Sequence, residues 1–220
     1  KDLGGRDVLA KAKELFWYPS EVDVSIRPGW FYHEDQDSKV KSLKHLTDIY
    51  FQSVGYNSVL LLNIPPDTRG LINEADVNRL KEFRAYLDEA FADNKVVDGN
   101  RLWKAAQGEQ KEYAIEDNSE INVIMLQEDI SKGQRVEGLD VETLTDGQWK
   151  LVAQGTTVGY KRIFRFPAVK AEKIRVTLTA SRNKANICNV SAYYAEPLTD
   201  DVASQEWNNL SRDGWKVISK

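Results

Sequence analysis

The stretch Phe16-Trp17-Tyr18-Pro19-Ser20-Glu21-Val22-Asp23-Val24-Ser25-Ile26-Arg27-Pro28-Gly29-Trp30-Phe31-Tyr32-His33 concentrates the chemistry-bearing residues of this chain. It holds six aromatic side chains and three charged ones, with two prolines and one glycine. Core strands are not built this way. Aromatic faces beside carboxylates suit a carbohydrate: rings stack on its C–H faces, and carboxylates move protons or accept hydroxyl hydrogen bonds. Glu21 follows Trp17 and Pro19. An apolar wall there would raise its pKa and keep it protonated near neutrality, as a general acid requires. The residue types also allow, and by themselves favour, a structural ion-pair cluster of Glu21, Asp23 and Arg27 on a loop.

Other chemistries find little support. The chain has 220 residues, 41% hydrophobic and 29% charged, with a net charge of −4. Split at residue 95, the halves carry −3 and −1, so neither is a basic module for nucleic acid or anionic membrane. The single cysteine, Cys188, excludes an internal disulfide and a four-cysteine zinc site. Two histidines, His33 and His45, make a protein-built metal cluster improbable, and no cofactor is implied. No apolar run reaches the roughly 18–20 residues of a membrane span. Gly155-Thr-Thr-Val-Gly159 lacks the P-loop lysine and reads as a hairpin loop. Asn189-Val-Ser191 and Asn209-Leu-Ser211 match the glycosylation acceptor pattern. Cys188 alternates with apolar neighbours and reads as a buried, inert thiol.

The elements that must carry the stretch follow from periodicity. Val22–Ile26 alternates as a strand does. Val40, Leu43, Leu46, Tyr50 and Val54 predict a helix capped by Asp37 or Ser38 and ended by Gly55. Val59–Leu62 is a continuous apolar run, the habit of a parallel strand buried on both faces. Asn73 caps a second helix with a stripe of Val77, Leu80, Phe83, Leu87 and Phe91. Two such strands cannot cover their own edges and faces. Residues 1–92 therefore read as the closing units of a larger α/β domain, with a barrel of β/α units as the leading candidate. After the polar link 93–99, period-two segments predict seven strands: 112–115, 121–127, 135–144, 149–154, 160–166, 174–179 and 187–194. Asp146-Gly147 marks a hairpin, and the whole predicts a β-sandwich over residues 100–197. Residues 198–220, with Trp207 and Trp215, read as a tail or the start of a further module.

The block Trp17–His33 resembles the α-L-fucosidases of glycoside hydrolase family 29, and in particular the bacterial branch that prefers α-1,3/1,4-linked fucose. The likeness runs on through Ser53-Val-Gly-Tyr-Asn57, Leu60-Leu-Leu-Asn-Ile-Pro-Pro-Asp67 and Gly70-Leu-Ile-Asn73. Leu126-Gln-Glu-Asp-Ile130, Gly133-Gln-Arg-Val-Glu137 and Gly155–Arg162 look like that family's discoidin-type sandwich. The resemblance implies a (β/α)8-like barrel followed by an antiparallel β-sandwich. It also implies retaining hydrolysis by two carboxylates about 5–5.5 Å apart. It gives Glu21 the general acid/base role and makes Trp30, Trp17 and His33 substrate contacts, with Tyr32 weaker. Asn63 is expected to be scaffolding, and Gln127, Glu128, Gln134 and Arg135 to tie sandwich to barrel.

The family's nucleophilic aspartate matches no residue of this chain. The chain is therefore expected to be a fragment, truncated at both ends and inactive alone. Its expected partners are a fucosylated oligosaccharide or glycoconjugate and the missing N-terminal barrel portion, with neither nucleic acid nor membrane. Its expected location, periplasmic or secreted, follows from the substrate class. The alternative is a non-catalytic sandwich that binds carbohydrate or docks on a barrel.

Overall fold

Parallel strands need a crossover connection, and the first half supplies one. The computed structural model describes residues 6–14 and 19–199. After the short α1 (Arg6–Leu9), β1 (Glu21–Ser25) lies parallel to β2 (Val59–Asn63), pairing Glu21 with Val59 and Ser25 with Asn63. The crossover between them is α2 (Leu43–Ser53), and α3 (Glu74–Ala90) follows β2. Apolar residues at helical spacing put α2 and α3 over one face of the strand pair. There Leu46, Leu80 and Phe83 pack with Ile26, Val40, Leu62 and Ile64. The opposite face carries Val59 and Leu61, 52% and 49% exposed. The two-sided burial expected of 59–62 is therefore not reached among the described residues, because helices cover only one side.

Local chemistry corrects the expected start of α2. Asp37 and Ser38 lie within a 3-10 helix (Glu34–Lys39), and the cap is Ser42, whose hydroxyl accepts from His45 N at 3.1 Å. Asp37 is unavailable as a cap because Arg27 holds its carboxylate. Gly55 lies just past the helix. A Cβ there would come 2.2 Å from the Phe51 carbonyl oxygen, so the close turn requires glycine. Asn73 caps α3 as expected, accepting from Ala75 N at 2.9 Å.

The second half forms two four-stranded antiparallel sheets, in orders β3-β10-β5-β8 and β4-β9-β6-β7. The strands are β3 (Trp103–Ala105), β4 (Gln110–Ala114), β5 (Glu120–Glu128), β6 (Val136–Thr145), β7 (Gln148–Gly155), β8 (Arg162–Lys170), β9 (Lys173–Ser181) and β10 (Ala185–Tyr193). Seven were predicted. The eighth, β3, has three residues at a sheet edge, too few to show a period. Ile174, Val176 and Leu178 are fully buried between the sheets, as their alternation requires. Asp146 and Gly147 both take positive φ, as a tight hairpin needs. The segment 93–99 is stitched to the sandwich: Lys95 N donates to Ala192 O, and Val96 lies in the sandwich core.

The two halves pack directly. Phe51 and Phe91 meet Val123, Ile163 and Tyr193 in one buried cluster. Arg165 bonds Asp48 at 2.8 Å, and the Arg162 guanidinium lies 3.7 Å from the centre of the Tyr56 ring. Tyr160 N donates to the Asn57 side chain at 2.8 Å, against the positive-φ Gly159. Phe16 and Trp17 lie outside the described residues, as do Lys1–Gly5 and the tail from Asp200, with Trp207 and Trp215.

Candidate functional site

The segment Arg27–His33 leaves the C-terminal end of β1, and most of its polar ties run through main-chain atoms. Ser25 Oγ donates to Gly29 O at 2.7 Å. Asn63, the last residue of β2, donates to Ser25 Oγ at 3.0 Å and to Trp30 O at 3.1 Å. Lys41 Nζ donates to Ser25 O at 2.6 Å and to Arg27 O at 3.4 Å. These bonds leave the side chains of Trp30, Phe31 and His33 free to face outward. Trp30 is 52% exposed and Phe31 77%; His33 is exposed and Tyr32 half-buried.

Beneath the loop lies a buried ion-pair cluster. Arg27 Nε donates to both Asp76 oxygens, at 3.1 and 2.9 Å, and neither side chain is exposed. Arg27 Nη1 donates to Asp37 Oδ1 at 2.7 Å and to His33 O at 3.4 Å. The guanidinium carbon lies 4.8 Å from the Tyr32 ring centre, and Tyr32 OH donates to Asp37 Oδ2 at 3.4 Å. Burial acts to lower the Arg27 pKa, but hydrogen bonds and charge from Asp76 and Asp37 outweigh it and raise the pKa above its ordinary value. Burial pushes the Asp76 carboxyl up, against the pull of Arg27. Burial, followed by the charge of Asp37, raises the Tyr32 phenol. Burial brings Lys41 down to about 8.

The structure separates residues that the sequence reading joined. Glu21 opens β1 at its other end, exposed and cross-strand from the exposed Val59. Four strand steps lie between it and Ser25, roughly 13 Å at ~3.3 Å per residue. The described residues do not build the apolar wall expected around it, and Trp17 lies outside them. Arg27 pairs with Asp76 and Asp37, so the alternative cluster of Glu21, Asp23 and Arg27 is not the one formed. Asp76 was legible in principle: it precedes Leu80, Phe83 and Leu87 at helical spacing and so falls on the apolar face of α3. Its place in the first turn of α3 also suits an acid to the helix dipole.

Gln134 accepts from Asn57 across the two halves at 3.4 Å, while Gln127 bonds Tyr160 O. Glu128 is 2% exposed and accepts from Arg135 N at 2.8 Å. Asn189 is half-buried in β10, and its amide donates to Gln127 and Ser191, so this glycosylation pattern is engaged in the sheet. Cys188 is partly buried, with its thiol raised by burial. Among the described residues no group of three or more His, Cys, Asp or Glu is placed to hold a metal ion.

Residues 7–90 match the family profile described as Alpha-L-fucosidase, and residues 82–192 match that of the F5/8 type C domain. Alpha-L-fucosidase 1 of Arabidopsis thaliana is 32% identical over 208 residues, covering 80% of this chain and 41% of the relative. The crystal structure of a "putative alpha-L-fucosidase" from Bacteroides ovatus is 62% identical, with a TM-score of 0.89. It covers 100% of this chain and 38% of that one. The GH29 fucosidase of Ruminococcus gnavus, solved in complex with fucose, is 25% identical, with a TM-score of 0.75. That match covers 84% of this chain and 43% of that one. This chain thus spans about two fifths of the length of its relatives, and it belongs to the alpha-L-fucosidase family.

Proposed function

We propose that this chain forms part of a retaining glycoside hydrolase that releases terminal α-L-fucose, α-1,3/1,4-linked in Lewis-type glycans. The observation that carries the reading is the loop Arg27–His33. It holds Trp30 and Phe31 outward at the C-terminal end of a parallel strand, where barrel enzymes bind substrate. The uncovered face with Val59 and Leu61 supports membership of a closed barrel, in which further strands and their side chains would cover it. An exposed indole offers an apolar face for the pyranose C–H groups or the fucose methyl, and His33 a hydrogen-bonding edge. The packed aromatic junction supports docking as the role of the sandwich. The isolated chain is inactive on this reading. The parent acts in a periplasm or outside the cell, where its glycans are found.

Family resemblance assigns proton transfer to Glu21. A general acid must lie within hydrogen-bond reach of the leaving oxygen, and Glu21 stands at the end of β1 remote from the loop. Substrate contact is therefore placed on Trp30 and His33, and Glu21 is tested on its own. In the native polypeptide that carries this chain, Trp30→Ala should weaken hydrolysis of a Lewis-type trisaccharide about tenfold or more, mainly through KM. Glu21→Gln with a loss of ~10²-fold or more and azide rescue of an aryl fucoside would establish Glu21 as acid/base. Activity within twofold of wild type would remove it. A native polypeptide that hydrolyses no fucoside would overturn the proposal.

A further inference from the structure

We propose that Arg27 is a positioning residue that clamps the Trp30 loop from below, and so sets where the aromatic side chains meet a sugar. The inference rests on the reading that this loop contacts substrate. Arg27 begins the loop, yet its side chain is fully buried. Its guanidinium reaches forward along the chain to His33 O and Asp37, and sideways to Asp76 on α3. Residues 27 to 37 are thereby tied into a ring closed by a charged side chain, and that ring is bolted to a helix. Tyr32 fills the ring, lying against the guanidinium and bonding Asp37, which also accepts from Asn73 at the cap of α3. A buried guanidinium is tolerated only where carboxylates meet it, and a planar fork holds geometry better than a lysine would. Trp30 and Phe31 lie within this ring of chain and keep their side chains exposed.

A plain strand-to-helix tie would need only Asp76. The bonds to Asp37 and His33 O are what act on the loop, and the Asp37 side chain is 37% exposed, so it can be altered without opening the core. The test uses Asp37→Ala, Asp37→Asn and Arg27→Lys in the native polypeptide, read by hydrogen exchange and by aryl α-L-fucoside kinetics. Asp37→Ala should speed exchange of amides 29–36 at least tenfold while sandwich amides keep their protection. It should raise KM about tenfold with kcat within threefold. Asp37→Asn, which keeps one acceptor oxygen for Arg27 Nη1 and loses the one that meets Tyr32 and Asn73, should restore part of both effects. Arg27→Lys should loosen the same amides; should it fail to fold, the Asp37 pair still decides. Unchanged exchange and KM in Asp37→Ala, or no rescue by asparagine, would overturn the proposal. If the wild type hydrolyses no fucoside, the fucosidase reading fails, and the exchange arm still decides the clamp.

Discussion

Lys41 should make the stability of this chain rise steeply with pH between 7.5 and 9.5. Its ammonium lies beneath the loop on the carbonyls of Ser25 and Arg27, and burial lowers its pKa from the usual 10.5 to about 8. The charged form is therefore disfavoured in the folded chain. The group's contribution to stability is fully present above the unfolded value and is lost as pH falls through the folded one. The whole difference corresponds to about 3 kcal/mol, at ~1.36 kcal/mol for each tenfold change in the proton equilibrium. Between pH 7.5 and 9.5, the linkage relation returns about 2 kcal/mol of it, because the unfolded chain holds the proton that the folded chain releases. The assay is urea unfolding at pH 7.5, 8.5 and 9.5, for wild type and Lys41→Met. Cys188 and the tyrosines titrate in both proteins, so the difference between slopes isolates Lys41. Wild type should gain about 2 kcal/mol more than the variant over this range. Slopes equal within about 0.5 kcal/mol would refute the reasoning, and would mean that the two carbonyls solvate the ammonium as well as water does.

Phe51 is 3% exposed, its ring 6.1 Å from that of Phe91 and 4.4 Å from the Arg165 guanidinium. Phe51→Ala should cost about 3–5 kcal/mol in chemical denaturation, and a loss under about 1 kcal/mol would show the halves to be independently stable. Glu128 is buried in β5 and burial raises its carboxyl pKa, so its contribution to stability is lost as pH rises through the folded value. Glu128→Gln keeps the acceptor for Arg135 N and should stabilise the chain by about 1 kcal/mol at pH 8 but not at pH 4, as read by thermal unfolding.

Much of this organisation is local and therefore legible in the chain itself. The order strand, helix, strand, helix follows from the apolar spacing of residues 22–91, and the Asn73 cap from its side-chain chemistry. Seven sandwich strands follow from period two, because burial of one face imposes that period on each residue pair. The long block around Trp30 is specific enough to name the family from residue order alone. What tertiary structure decided was pairing at a distance. Arg27 stands 49 residues from Asp76, and periodicity reports which face a residue lies on, not which charge it meets. Only folding shows that Glu21 and Trp30 occupy opposite ends of one strand. Sequence neighbours on a strand diverge by ~3.3 Å per residue, while α3 brings a remote carboxylate under the loop, because a buried guanidinium needs a counter-charge.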